Sequence, residues 1–204
     1  MQSFLKKRSI LFGVFFYFYT MKLKSALILI AIGLVLLLMY SPLGSQGKLL
    51  LTKFLAPTPR FLSIEDQYEI PTYQWRLKDK EWDFFSLEQS KGKVIFVSFW
   101  ASWHLPSKAS LESIERLYKR FGNHIVFLIV TDEERDPVEQ FIKNQDFSFP
   151  ITYRVVKDKS PFKSMALGTS YVISAKGNIV VETSRISDWD KPDFTAGLSS
   201  LLKQ

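Results

Sequence analysis

The sequence predicts an α/β domain, a central mixed sheet flanked by helices, behind an N-terminal apolar segment. Three observations support this class. Residues 94–100 and 125–130 are nearly continuous apolar runs, typical of strands buried on both faces of a sheet. Apolar residues recur at helical spacing between these runs. Residues 25–44 contain no charged residue and precede the domain.

A β-hairpin is expected where the domain begins. Residues 73–77 and 82–86 are short aromatic-rich runs on either side of Lys78-Asp79-Lys80-Glu81. Two such runs joined by a short polar segment predict two antiparallel strands and their turn.

The first helix of the domain is expected to begin near Pro106 and to end at Gly122. Proline suits the first turn because its nitrogen is not needed as a donor there. The apolar residues at helical spacing are Leu111, Ile114, Leu117 and Phe121. A helix that joins two buried strands predicts a βαβ unit with parallel strands.

A second helix is expected to start at Asp136-Pro137-Val138-Glu139. The pattern supplies an N-cap, a first-turn proline and a capping-box acid. The residues predicted to be buried on this helix are Val138, Phe141 and Ile142.

A hairpin and a third helix complete the predicted domain. Residues 169–174 and 178–183 flank Ala175-Lys176-Gly177, which is a turn sequence. The last helix is predicted from an apolar stripe of Phe194, Leu198 and Leu201.

The basic charge of the chain is concentrated at its N-terminus. The net charge is +7, and residues 1–44 hold five basic residues and no acidic one. The remaining 160 residues carry 22 basic and 20 acidic residues. Nucleic-acid binding needs clustered Lys and Arg on the folded domain, so no nucleic-acid partner is expected.

Residues 25–44 predict a signal anchor. A helix of about 20 residues is needed to cross a hydrocarbon core of about 30 Å, and this segment is just long enough. Lys22 and Lys24 precede it, which predicts a cytoplasmic N-terminus and a domain outside the cytoplasm, in the periplasm or its equivalent. The alternative is a cleaved signal peptide, for which the apolar stretch is long.

The chain is thus predicted to have three parts. Residues 1–44 form a cytoplasmic tail and a single-pass anchor in the inner (cytoplasmic) membrane, 45–70 a linker, and 71–204 the domain. Met21-Lys22-Leu23-Lys24 has the form of a signal-anchor start, so we hypothesise that translation begins at Met21 rather than Met1.

The most informative motif is Phe99-Trp100-Ala101-Ser102-Trp103-His104-Leu105-Pro106-Ser107-Lys108. It lies within the βαβ unit and follows Gly92-Lys93-Val94, and Tyr171-Val172-Ile173-Ser174-Ala175-Lys176-Gly177 comes later in the chain. With these motifs and the element order βαβ, helix, ββα, residues 71–204 resemble the membrane-anchored thioredoxin-like proteins of the TlpA and ResA type. The resemblance implies a thioredoxin-like fold. It also implies a location in the bacterial envelope, where such proteins reduce or isomerise disulfides of exported partners.

The sequence departs from this family at the site. His104 and Ser107 occupy the positions of its two cysteines, Ser110 that of a common acidic residue, and Gly168 that of its cis-proline. Dithiol chemistry requires a thiolate and a second sulfur to resolve the mixed disulfide. The chain contains no cysteine, so it supplies neither.

The remaining groups favour a binding module that requires no cofactor. The resemblance places Trp103 beside an exposed apolar groove, next to His104 and Pro106. The backbone around Gly168 and Thr169 would hydrogen-bond an extended segment. We expect a partner that is an envelope protein or an extended peptide. The alternative for Trp103 is simple packing against Pro106.

Other readings remain open at this point. Two alternatives to a binding module are an oxidoreductase that acts only with a partner's cysteines and a purely structural domain. A third is a His/Ser hydrolase that uses His104 and Ser107, three residues apart, although a triad also needs an orienting acid and an oxyanion hole.

No metal site is expected from the sequence. His104 and His124, the two histidines, lie at opposite ends of one predicted helix. The acidic run Asp132-Glu133-Glu134 is expected to be a solvated loop.

Overall fold

The computed structural model describes residues 56–203, which form a packed domain, and separately Ser25 and residues 27–33, which are helical. The rest of the predicted anchor, the N-terminal tail and the hypothetical start at Met21 lie outside the described residues. Within the described part of the chain, no helix has both the length and the apolar character needed to cross a membrane.

One mixed sheet of eight strands forms the centre of the domain, as predicted. The strands are β1 (Tyr68–Glu69), β2 (Arg76–Lys78), β3 (Phe84–Ser86), β4 (Val94–Phe99), β5 (Ile125–Thr131), β6 (Ile151–Arg154), β7 (Ser170–Ile173) and β8 (Asn178–Thr183). Their order across the sheet is β1-β8-β7-β4-β5-β6-β2-β3. The central strands β4, β5 and β6 are parallel, and every other pairing is antiparallel.

Three α-helices pack against this sheet. They are α1 (Leu105–Phe121), α2 (Arg135–Lys143) and α3 (Pro192–Leu201), and a short 3-10 helix covers Leu87–Ser90. The predicted start and end of α1 are confirmed, since Pro106 lies in its first turn and Gly122 is its C-cap.

The start of α2 differs from the prediction. Its N-cap is Glu134 rather than Asp136, which lies within the first turn. Pro137 also fits inside the first turn, because a backbone amide at that position would have no acceptor within the helix. Val138 is buried as predicted, while Phe141 and Ile142 are only partly buried.

Strand β4 is buried on both faces, which explains its unbroken apolar sequence. Phe96 packs in the hydrophobic cluster that contains the buried residues of all three helices. Ile95 and Val97 point to the opposite face and pack in a second cluster. The strand therefore joins the two cores of the domain.

The domain includes part of the predicted linker. Strand β1 pairs with β8, and the Leu62 amide donates to the Val180 carbonyl at 2.8 Å. The ring of Phe61 stacks on Phe194 with centroids 5.4 Å apart. The apolar residues of this segment thus have partners on β8 and α3, and the predicted boundary at residue 71 is too late. Residues 45–55 lie outside the described part.

Glu115 is a buried carboxylate in the middle of α1. It accepts hydrogen bonds from the Ser148 amide (2.8 Å), the Ser148 hydroxyl (2.6 Å) and the Phe149 amide (3.3 Å), and it pairs with Lys119. Burial opposes ionisation, but these hydrogen bonds outweigh it and hold the pKa of Glu115 below its ordinary value. The carboxylate therefore fixes the segment that leads into β6.

We expect Glu115→Gln to destabilise the domain by about 2 kcal/mol at neutral pH, because hydrogen bonds to a buried charge are lost. A carboxyl group with a lowered folded pKa stabilises the fold above its unfolded pKa, and that stability is lost as pH falls through the folded pKa. The variant should therefore lose less stability than the native chain on acidification. Urea unfolding at several pH values measures both effects.

Glu65→Gln, at an exposed glutamate, is the matched control. An equal loss of stability in both variants would contradict the role assigned to Glu115.

Candidate functional site

The candidate site lies at the carboxyl end of β4, in the loop that leads into α1. Trp100 fixes the start of this loop. Its amide donates to the Val130 carbonyl at 2.9 Å, and its buried indole Nε1–H donates to the Ile129 carbonyl at 3.3 Å. These two hydrogen bonds to β5 therefore fix the point at which the loop leaves the sheet.

His104 is the N-cap of α1. Its Nδ1 accepts a hydrogen bond from the Ser107 amide at 3.2 Å, which satisfies one of the donors left free at a helix start. An Nδ1 that accepts carries no hydrogen, so the geometry assigns the proton of the neutral ring to Nε2.

Ser107 serves the backbone of the same turn. Its Oγ donates to the His104 carbonyl at 3.0 Å and accepts from the Ala101 amide at 3.3 Å. The residue is only 3% exposed. Neither imidazole nitrogen of His104 accepts a proton from this hydroxyl, so the arrangement needed for a Ser–His nucleophile is not formed.

Ser110 is also buried. Its hydroxyl accepts from the Ser187 amide at 3.4 Å and so connects α1 to the segment before α3. This position contributes to packing rather than to an acid–base function.

Trp103 is the exposed aromatic residue of the loop. Its side chain is 68% exposed, and the ring meets the edge of the His104 ring with centroids 5.8 Å apart. Leu105 and Pro106 are exposed beside it. The indole is therefore presented to solvent and is not buried by packing against Pro106.

Gly168 lies against His104. A Cβ added at Gly168 would stand 3.9 Å from the His104 Cε1 atom. The Gly168 amide donates to the Phe99 carbonyl at 2.8 Å, and the Thr169 amide donates to the Ala166 carbonyl at 2.9 Å. With φ of +89° at Gly168, residues 166–169 form a type II turn. Proline cannot adopt this φ, so the backbone at residue 168 excludes it.

Thr169 does not contact a partner in the way that the sequence suggests. Its side chain is buried, and its amide and carbonyl are both used, by Ala166 and by the Phe99 amide. Within residues 56–203, no hydrogen bond engages the Leu167 amide, the Leu167 carbonyl or the Gly168 carbonyl. The unpaired main-chain groups of the turn therefore belong to Leu167 and Gly168 rather than to Thr169.

Glu133 is a site residue that the sequence did not indicate. Its carboxylate accepts from the Ser102 amide at 2.5 Å and from the Ser102 hydroxyl at 2.7 Å. It also accepts from the Thr131 hydroxyl at 3.3 Å. The acidic run after β5 is thus not simply solvated, because Glu133 holds the loop that carries Trp103.

Tyr171 holds the segment that precedes the turn. Its hydroxyl accepts from the Ser164 amide at 3.1 Å and lies within hydrogen-bond distance of the Ser164 carbonyl and of Glu182. Burial and the neighbouring Glu182 raise the pKa of Tyr171 to about 12, with the Ser164 backbone opposing the shift. The hydroxyl therefore stays protonated and structural at neutral pH.

The two histidines are not brought together by the fold. His104 caps the start of α1, and His124 lies beyond its end. In residues 56–203, no cluster of three or more His, Cys, Asp or Glu side chains has metal-binding geometry.

The fold and the site define a class of protein. It is a thioredoxin-like domain of the thiol-disulfide oxidoreductase family, and its sequence contains no cysteine. The chain belongs to the AhpC/TSA family, whose profile matches residues 69–182.

Curated relatives agree with this assignment. The chain is 25% identical over 122 residues to the thioredoxin-like protein YneN of Bacillus subtilis, covering 58% of this chain and 71% of YneN. It is 27% identical over 130 residues to the thiol-disulfide oxidoreductase ResA of Bacillus cereus, covering 60% of this chain and 73% of ResA.

Solved structures show the same fold. A secreted thiol-disulfide isomerase from Corynebacterium glutamicum superposes with a TM-score of 0.55 at 13% identity, covering 72% of this chain and 93% of the isomerase. A DsbF homologue from Corynebacterium diphtheriae gives a TM-score of 0.54 at 14% identity, with 72% and 92% coverage.

We expect Glu133→Gln to loosen the Trp103 loop, because the hydrogen bonds to Ser102 lose their charged acceptor. Stability should fall by about 1–2 kcal/mol, and amide hydrogen exchange should accelerate at residues 101–104. Exchange measured by mass spectrometry on the full chain reports the local effect. Glu134→Gln, the exposed neighbour, is the control and should leave exchange in the loop unchanged.

Proposed function

We propose that this protein is a redox-inactive, membrane-tethered thioredoxin-like module that binds an extended segment of an envelope protein. The proposed contact surface, here called the Trp103 surface, consists of Trp103, His104, Pro106, Leu167 and Gly168. The observation that carries the proposal is an indole 68% exposed on a loop that is held by buried and partly buried hydrogen bonds.

The Trp103 indole supports binding because its exposure is costly and its position is fixed. Burying a large aromatic side chain at an interface contributes about 2–3 kcal/mol. The loop is held at Trp100 by β5 and at Ser102 by Glu133. Little conformational entropy would then be lost when a partner covers the ring.

The free groups of Leu167 support an extended partner. An amide and a carbonyl on the same residue can form the two hydrogen bonds of a β-bridge. His104 lies between Leu167's neighbour Gly168 and the Trp103 ring. A peptide strand paired with Leu167 would therefore place side chains near the indole.

The apolar segment 25–44 supports a tether in the cytoplasmic membrane, with the domain on the outer side. Such a tether would keep the Trp103 surface among exported proteins. It would also raise the local concentration of membrane-bound partners.

An alternative function is thiol-disulfide exchange that uses only the cysteines of a partner. The family membership favours it, because ResA is a thiol-disulfide oxidoreductase. In this case the domain would hold a partner's dithiol near His104 without itself forming a bond to sulfur.

Restoring the sulfurs tests whether the site is correctly located. The pair His104→Cys with Ser107→Cys should form a disulfide that dithiothreitol reduces, and its exposed thiol should have a lowered pKa at the start of α1. Thiol labelling against pH measures the shift. A single Asn123→Cys, beyond the other end of α1, should retain an ordinary thiol pKa. Failure of the two sulfurs to pair would contradict the assignment of residues 104 and 107 to the family's cysteine positions.

Photo-crosslinking in intact cells tests the binding function. A photoreactive amino acid replaces Leu105, which is exposed next to Trp103 and does not cap the helix. We expect a discrete adduct with a protein of the envelope.

The same cell fractions test the tether. A chain with a membrane anchor should remain in the membrane fraction after a wash with alkaline carbonate.

Two controls make the crosslinking experiment specific. The photoreactive residue at Lys143, which is exposed in α2, should give no adduct. In the chain that carries the photoreactive residue at position 105, Trp103→Ala should lower the yield of the adduct about tenfold or more, as for a binding hot spot. Adducts that are equal at the two positions, or insensitive to Trp103, would refute the proposed surface.

A further inference from the structure

Arg154 is a mostly buried arginine beside the Trp103 surface. It ends strand β6, and its side chain is 22% exposed. A small cavity of about 20 Å³ is lined by Arg154 and by Leu167, together with residues from the ends of β4 and β5. The guanidinium therefore lies next to the residue whose main-chain groups are free.

Few of the N–H donors of Arg154 have a good hydrogen-bond acceptor. Its Nη2 donates to the Asp132 carboxylate at 3.4 Å, and its Nη1 approaches the Met165 sulfur at 3.7 Å. Its Nε–H is buried and has no partner. A guanidinium carries five donors, and buried donors are almost always satisfied. The observed contacts are therefore weak for an arginine with this degree of burial.

The cavity has the size of a single oxygen atom. A volume of about 20 Å³ holds one water molecule or one oxygen of a carboxylate. One oxygen of a carboxylate in this cavity could accept from the buried Nε–H, and its negative charge suits the guanidinium. Arg154 therefore has the chemistry of a carboxylate-binding residue.

We propose that Arg154 selects an acidic residue in the segment that binds the Trp103 surface. The inference rests on the proposed function and specifies the chemistry of its partner: an extended segment with an Asp or Glu close to the residue that pairs with Leu167. The carboxylate enters from the solvent side and replaces the long contact to Asp132.

Asp132 competes with a ligand carboxylate for the guanidinium of Arg154. Its side chain is 52% exposed, so it can turn into water when a ligand carboxylate arrives. Glu133, the other neighbouring acid, is already held by Ser102 and Thr131 and does not contact Arg154. Removing the charge of Asp132 should therefore strengthen binding of an acidic segment.

The test is a selection of random twelve-residue peptides displayed on phage, using the full-length chain as bait. Peptides whose binding is lost with Trp103→Ala define occupants of the Trp103 surface. Among them we expect Asp or Glu to be enriched at one fixed distance from an apolar residue. The best peptide is then synthesised with its acid and with the matching amide, and both affinities are measured by fluorescence anisotropy.

We expect the amide version to bind the native chain about tenfold or more weakly, because charge-assisted hydrogen bonds to the guanidinium are lost. Asp132→Asn should tighten the acidic peptide about two- to fivefold, the range expected for a partly exposed pair. Arg154→Met should remove the preference for the acid, and Arg154→Lys should restore only part of it. Arg60→Met, at an exposed arginine near β1, is the charge-matched control.

The outcomes separate the two proposals. If no peptide depends on Trp103, the proposed function fails. If Trp103-dependent peptides are found but acid and amide versions bind equally to the native chain, only the role of Arg154 is overturned. This second comparison uses the native protein, so it does not depend on whether the Arg154 variants fold.

Discussion

Strand β4 is the element on which the rest of the structure depends, because it is buried on both faces and bonded along both edges. Its last residue, Phe99, bonds to Gly168 and Thr169 on one side, and Trp100 bonds to β5 on the other. The loop before α1 and the turn at Gly168 are therefore both positioned by the same strand end. A change in the packing of β4 would move every part of the site together.

The loop before α1 is held by polar contacts to its own backbone. His104 lies at the positive end of α1, and an imidazole nitrogen satisfies a backbone amide of the first turn. The Ser107 hydroxyl closes the turn through the Ala101 amide and the His104 carbonyl. Glu133 adds a carboxylate that fixes Ser102 from another strand. These contacts favour a rigid surface, which is useful for recognition and does not require a reactive group.

The parts of the structure that were predictable from sequence are those with local signals. The apolar runs of β4 and β5 and the periodicity of α1 each depend on neighbouring residues. The contacts of Glu133 with Ser102 join residues 31 positions apart, and nothing in Asp132-Glu133-Glu134 distinguishes the middle carboxylate. The unpaired main-chain groups of Leu167 could not be predicted, because they leave no pattern in side-chain identity. The packing of Phe61 on Phe194 likewise depends on the far end of the chain.

The turn at Gly168 also determines which residues position 168 accepts. A backbone with φ of +89° accepts glycine and excludes proline, so Gly168→Pro would require residues 166–169 to adopt another conformation. A residue with a Cβ would be strained there even though there is room for the added atom. A substitution at this one position would therefore change the backbone beside His104 without altering any other side chain of the Trp103 surface.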